Sequence, residues 1–142
     1  MKKRDVILCS ACLLGEKCRY DGQSKADEKV LILSKKVDFV PVCPEVLGGL
    51  STPREKSERK GDKVFSQSGK DVTREFQKGA EETLKIAREN KIRKAILKQR
   101  SPSCGSGQTY DGTFSGKIIK GDGMTAELLK RNGIEVTTEE DL

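Results

Sequence analysis

The chain has 142 residues, 34% hydrophobic and 35% charged, with a formal net charge of +6. That length is expected to make one domain, residues 1–142, with an adequate but thin core. With no histidine, serine–histidine and cysteine–histidine catalysis are excluded and the commonest zinc ligand is missing. No apolar run approaches the ~18 residues that a membrane-spanning helix needs. The basic start Met1-Lys2-Lys3-Arg4 is followed only by Val6-Ile7-Leu8, too short for a secretory signal, so a cytoplasmic monomer is expected. The positive charge admits an anionic partner such as a nucleotide or RNA, but its basic residues are scattered among acids. An aromatic content of 4% argues against a stacking platform for single strands.

In chain order, residues 5–9 are apolar and β-prone and predict a first strand. A loop to Gly22 follows, then a helix from Ser24, with Ser24 as cap and Asp27 returning the bond, to about Lys35. Residues 37–42 predict a second strand, apolar enough to be buried on both faces. Residues 48–70, rich in glycine and charge, predict a long functional loop with a small strand at Val64-Phe65. Asp71 is expected to cap the longest helix, whose stripe Val72, Phe76, Ala80, Leu84 and Ala87 repeats near 3.6 residues and ends near Asn90. Residues 92–98 predict a third strand, and residues 101–123 a second glycine-rich loop. Residues 124–131 predict a short helix stopped by Asn132-Gly133, and residues 134–136 a last strand. The alternation implies an α/β fold: a single domain with a mostly parallel central sheet flanked by helices, Rossmann-like layers and long Gly-rich loops.

Five cysteines in such a chain point to metal or thiol chemistry rather than a disulfide framework. Cys12, Cys43 and Cys104 each stand where a predicted strand hands over to a loop, among Gly, Pro or Ser. The carboxyl ends of parallel strands share one edge, where ligands bind, so these thiols are expected to converge; the alternative is three unrelated buried thiols. Cys9 lies inside an apolar run and reads as a small core residue. Cys18, in a polar loop, reads as a spectator, with the alternative that the neighbouring Arg19 lowers its pKa. Structural zinc wants four closed ligands; three thiolates without histidine suit an iron–sulfur cluster with one open iron. Gly48-Gly49 and Gly105-Ser106-Gly107 are candidate cradles for a substrate phosphate, with Arg19, Arg54 and Lys98 as anion partners.

Ser10-Ala11-Cys12-Leu13-Leu14-Gly15, Arg19-Tyr20-Asp21-Gly22, Val42-Cys43-Pro44-Glu45-Val46-Leu47-Gly48-Gly49-Leu50, Thr52-Pro53-Arg54, Gly69-Lys70-Asp71-Val72-Thr73, Ser101-Pro102-Ser103-Cys104-Gly105 and Tyr110-Asp111-Gly112-Thr113-Phe114 together resemble the TudS-type thiouracil desulfurase family. The match runs almost end to end. The resemblance implies a [4Fe-4S] cluster on Cys12, Cys43 and Cys104, with Glu45 and Ser101 acting in catalysis. It implies an iron–sulfur-dependent desulfurase that replaces the C=S sulfur of a thiolated uracil base or nucleotide by oxygen. The open iron would serve as Lewis acid and sulfur acceptor. The extra carboxy-terminal domain of tRNA-acting fusions is not expected here, which leans against whole tRNA as substrate. Two other readings stay open: a thiol redox protein using Cys9 and Cys12, and a non-enzymatic metal- or RNA-binding module.

Overall fold

A computed structural model describes residues 4–142. Four strands form one parallel sheet: β1 (Val6–Ser10), β2 (Asp38–Val42), β5 (Lys94–Leu97) and β8 (Glu135–Thr138), in the order β2-β1-β5-β8. The two central strands are the most apolar, as burial on both faces demands, and Leu8 and Leu97 have no exposed surface. Side chains alternate across β1. Ile7 and Cys9 pack with Val30 of α1 (Glu28–Leu33), whereas Leu8 joins the opposite cluster. That second cluster is filled by Leu84 and Ala87 of α3 (Thr73–Glu89) and by Ala126 and Leu129 of α4 (Met124–Arg131). The result is a three-layer α/β fold with helices on both faces.

Two antiparallel hairpins occupy the glycine-rich stretches. β3 (Ser57–Lys60) pairs with β4 (Lys63–Ser66), and β6 (Gln108–Tyr110) with β7 (Ile118–Lys120). The long loop around Val64-Phe65 thus contains a hairpin over residues 57–66. Strand β2 departs from expectation: it is the edge of the sheet and only Val42 is buried, because the β1 side is its only paired edge. Helix α1 starts later than expected, with Asp27 rather than Ser24 as the cap; the Asp27 side chain accepts the Val30 N–H at 3.1 Å. Val72 rather than Asp71 is the N-cap of α3, and Asp71 instead accepts the Thr73 N–H at 2.9 Å.

One short helix was not visible in the periodicity: α2, Pro44–Leu47, starts directly after Cys43. A single turn has no apolar stripe to read, but Pro at its first position is preorganised for helix. Among the described residues, no helix is long and apolar enough to cross a membrane.

Candidate active site

The sheet order places β1 between a strand that follows it and a strand from later in the chain, which makes the β1/β5 boundary a topological switch point. A cavity of about 180 Å³ opens at the carboxyl edge there. Cys12 enters it from a 3-10 turn, Ala11–Leu14, just beyond β1, and Cys43 from the junction of β2 and α2. Cys104 enters from the turn after β5, together with Ser101. Three segments remote in sequence therefore line one cavity at the strands' carboxyl edge.

Cys18 shares it too. It lines the cavity beside Cys12 and Cys43, and the Cys43 thiol donates to the Cys18 carbonyl at 3.5 Å. The expected spectator is thus a fourth thiol of the pocket. Sequence could not reveal this, because the 11–22 loop has no periodicity to fix where its side chains point. Cys9 behaves as expected: it has no exposed surface and lies in the core cluster with Ile7, Leu13 and Val30. A Cys9–Cys12 redox pair would lack an accessible nucleophile at Cys9.

The thiols of Cys18, Cys43 and Cys104 are held protonated. The hydrogen bond with Cys12, the largest influence, pushes Cys18 up to about 11, and the bond with Cys18 followed by burial pushes Cys43 up further. Burial pushes Cys104 up to about 12, opposed by a hydrogen bond with Ser10. Such thiols become ligands only when a metal takes the proton's place.

Among the described residues, no three Cys, Asp or Glu side chains meet closely enough for a single metal ion. A multinuclear cluster takes one thiolate per iron and so accepts more widely spaced sulfurs. Four thiols on one cavity in a chain with no histidine fit an iron–sulfur cluster by their donor chemistry.

Glu45, in the first turn of α2, faces the same cavity. Its Oε1 accepts a hydrogen bond from Arg54 Nε at 3.1 Å, and both side chains are largely buried, 16% and 7% exposed. Burial raises the Glu45 carboxyl above its ordinary range, and Arg54 pulls the other way. Arg54 also donates to the Cys18 carbonyl at 3.1 Å and to the Ser51 carbonyl at 3.1 Å. One guanidinium thereby joins the loop of Cys18 to the carboxylate beyond Cys43.

Ser101 Oγ accepts the backbone N–H groups of Ser103 at 3.1 Å and Cys104 at 3.0 Å. Both lone pairs are then used, which leaves its O–H proton free to donate into the cavity. The Ser-Pro turn and the donor are therefore the same hydroxyl. A β-carbon at Gly105 would meet the Gln108 and Ser101 carbonyls, so only glycine lets this turn close. Opposite, the Tyr110 loop is held by the buried Glu58, whose Oε1 accepts the N–H groups of Gly112 at 3.0 Å and Phe114 at 3.1 Å. Lys56 lies 4.9 Å above the Tyr110 ring.

The expected phosphate cradles are corrected. Gly48 N–H donates to the Pro44 carbonyl, Gly49 to Val46 and Gly105 to Ser101. Ser106 N–H is taken by the Gln99 side chain and Gly107 N–H by Asp122. No free N–H remains in either run to meet a phosphate. Of the anion partners, Arg54 is committed to Glu45 and Lys98 to Glu139 at 3.0 Å.

A parallel α/β sheet with a thiol-lined cavity at its switch point, a buried carboxylate and a free hydroxyl donor has the architecture of a small cofactor-dependent enzyme. The 2-thiouracil desulfurase family matches residues 7–141, and the chain belongs to that family. It is 47% identical to an uncharacterized protein, YbbK of Bacillus subtilis (strain 168), over 96% of this chain and 97% of that one. It is also similar to a solved structure described as a [4Fe-4S]-dependent thiouracil desulfidase TudS. That match has 48% identity and a TM-score of 0.93, and covers 98% of this chain and 93% of that chain.

Proposed function

We propose that this protein hydrolyses the C=S bond of a thiolated uracil base or nucleotide, giving the C=O product and hydrogen sulfide, with a [4Fe-4S] cluster held by Cys12, Cys43 and Cys104. Oxygen comes from water and sulfur leaves as sulfide, so the reaction is not a net oxidation or reduction. The observation that carries this reading is the convergence of those thiols with Glu45 and Ser101 on one cavity at the sheet's switch point. When bound, a cluster with three thiolate ligands supplies an iron with an open position, a thiophilic Lewis acid for the substrate sulfur.

The chain's own residues do the rest. Glu45, with its proton affinity raised by burial, removes a proton from the water that attacks the C–S carbon. Arg54 holds Glu45 in place and keeps its charged form accessible. Ser101 donates its free hydroxyl proton to the ring or passes one to the departing sulfur. Tyr110 and Pro102 supply flat, apolar wall for a pyrimidine.

The test is anaerobic loading with iron and sulfide, followed by assay on 2-thiouracil, 4-thiouracil and their nucleotides. Uracil or uridine nucleotide should form in step with sulfide, only in loaded protein. Loaded protein that releases no sulfide from any of them would overturn the reading.

A further inference from the structure

Cations crowd the mouth of the cavity, and the chain answers most of them itself. Arg54 pairs with Glu45, Lys98 with Glu139, and Arg19 with Asp21 at 3.8 Å. Arg100, the residue before Ser101, makes a fork-on-fork pair with Glu140: Nη1 to Oε1 at 3.0 Å and Nη2 to Oε2 at 2.5 Å. Unlike the buried Arg54–Glu45 pair, this one sits at the rim, with side chains 28% and 45% exposed.

Each partner is delivered by a fixed backbone. Arg100 has a φ of 64°, and its N–H donates to Gln99 Oε1, which also accepts the Ser106 N–H. Gln99 N–H donates in turn to Glu139 at 2.7 Å. Glu140 rides on the last 3-10 turn, Glu139–Asp141, which is closed by a capping box between Thr138 and Asp141. Arg100 thus springs from a set point on the cavity lining, and to free its guanidinium the Glu140 fork must part together with the longer Nη1 bond to Gln108 Oε1 at 3.3 Å.

A guanidinium fork accepts a phosphate as readily as a carboxylate. We propose that Glu140 is a specificity-determining residue: it occupies Arg100 as an internal counter-anion that a substrate phosphate must displace. It thereby sets how strongly the enzyme favours a phosphorylated thiopyrimidine over the uncharged base. This rests on the desulfuration reading above. Exposed ion pairs are weak, so the exchange is shallow and tunable, and no covalent bond changes.

The test compares the unaltered protein with Glu140→Gln, Arg100→Gln and the double variant. One arm measures kcat/KM of loaded enzyme for a thiouracil and for the matching thiouridine monophosphate. The other measures binding of uridine monophosphate by calorimetry, which needs no turnover. Glu140→Gln should tighten uridine monophosphate about fivefold and lower KM for the nucleotide by a similar factor, the scale of an exposed pair. Kinetics on the base should not move, and the gain should vanish in the double variant. Equal changes for base and nucleotide, or unchanged nucleotide affinity in Glu140→Gln, overturns the proposal. If loaded protein desulfurates nothing, the reaction is wrong, but the calorimetric arm still decides the role of Glu140.

Discussion

Gly48, at the end of α2, and Gly79, in α3, face each other across the helix crossing. A β-carbon on Gly79 would run into the Pro44 carbonyl, and one on Gly48 into the Glu75 carbonyl. The backbones therefore meet directly, and the single turn that carries Glu45 rests on the longest helix of the protein. A one-turn helix has little stability of its own, so this contact seats the turn, while Arg54 orients the carboxylate it carries.

Gly79→Ala tests that. Alanine would favour an isolated helix by about 1 kcal/mol, but here its methyl meets backbone, which cannot rotate away. Overpacking of this kind costs about 1–3 kcal/mol. Thermal unfolding should show a lower Tm despite the better helix propensity, and desulfuration should fall as α2 is pushed from the cavity. An unchanged or raised Tm would contradict the contact.

Glu45→Gln keeps the side chain's shape and removes the base. Turnover should drop by about 10²–10⁴-fold, the usual worth of a positioned acid or base. Iron content and visible absorbance of the loaded protein should stay as in the unaltered chain. Retained turnover would remove Glu45 from the mechanism.

The five cysteines should separate into groups. Cys12→Ser, Cys43→Ser and Cys104→Ser should each lose most bound iron and sulfide after reconstitution, and chelation of loaded protein should abolish activity. Cys18→Ser should load normally, since its thiol is not needed as a ligand. Cys9→Ala should also load, but should lose about 1 kcal/mol of stability through the small core void it leaves. Iron and sulfide analysis with thermal unfolding decides each case.

Glu58→Ala should free the Tyr110 loop. Two backbone N–H groups lose a buried acceptor, 1% exposed. Leaving a buried donor unsatisfied costs about 1–3 kcal/mol, so denaturant unfolding should register a clear loss. Hydrogen exchange should quicken at Gly112 and Phe114 first, and KM for the substrate should rise more than kcat falls.

The Arg100–Glu140 pair has a pH signature. A hydrogen bond from Arg100 holds the Glu140 carboxyl below its ordinary range. The stabilisation is therefore complete above the unfolded carboxylate's pKa of about 4.3, and is lost as pH falls through the lower folded value. With Glu140 nearly half exposed, its size should stay below about 1 kcal/mol. Unaltered protein and Glu140→Gln should differ slightly in Tm at neutral pH and converge in acid.

Much of this was legible before any coordinates. Helix α4 ends at its Asn132-Gly133 stop, and α3 follows its stripe of Phe76, Ala80, Leu84 and Ala87, because a 3.6-residue repeat is a property of the local chain. The strand-end positions of Cys12, Cys43 and Cys104 were legible for a related reason: parallel strands in an open sheet share one edge. That the chain is an α/β protein with a thiol site there was determined by the sequence alone.

Tertiary structure decided what local pattern cannot encode. It made β2 an edge strand, turned Cys18 inward, spent the glycine N–H groups on their own turns, and paired Arg54, Lys98 and Arg100 with carboxylates 9, 41 and 40 residues away. Each of these depends on which remote group lies across a gap of a few ångströms. That distance is set by the packing of the sheet, α2 and the final turn together, and no window of neighbouring residues contains it.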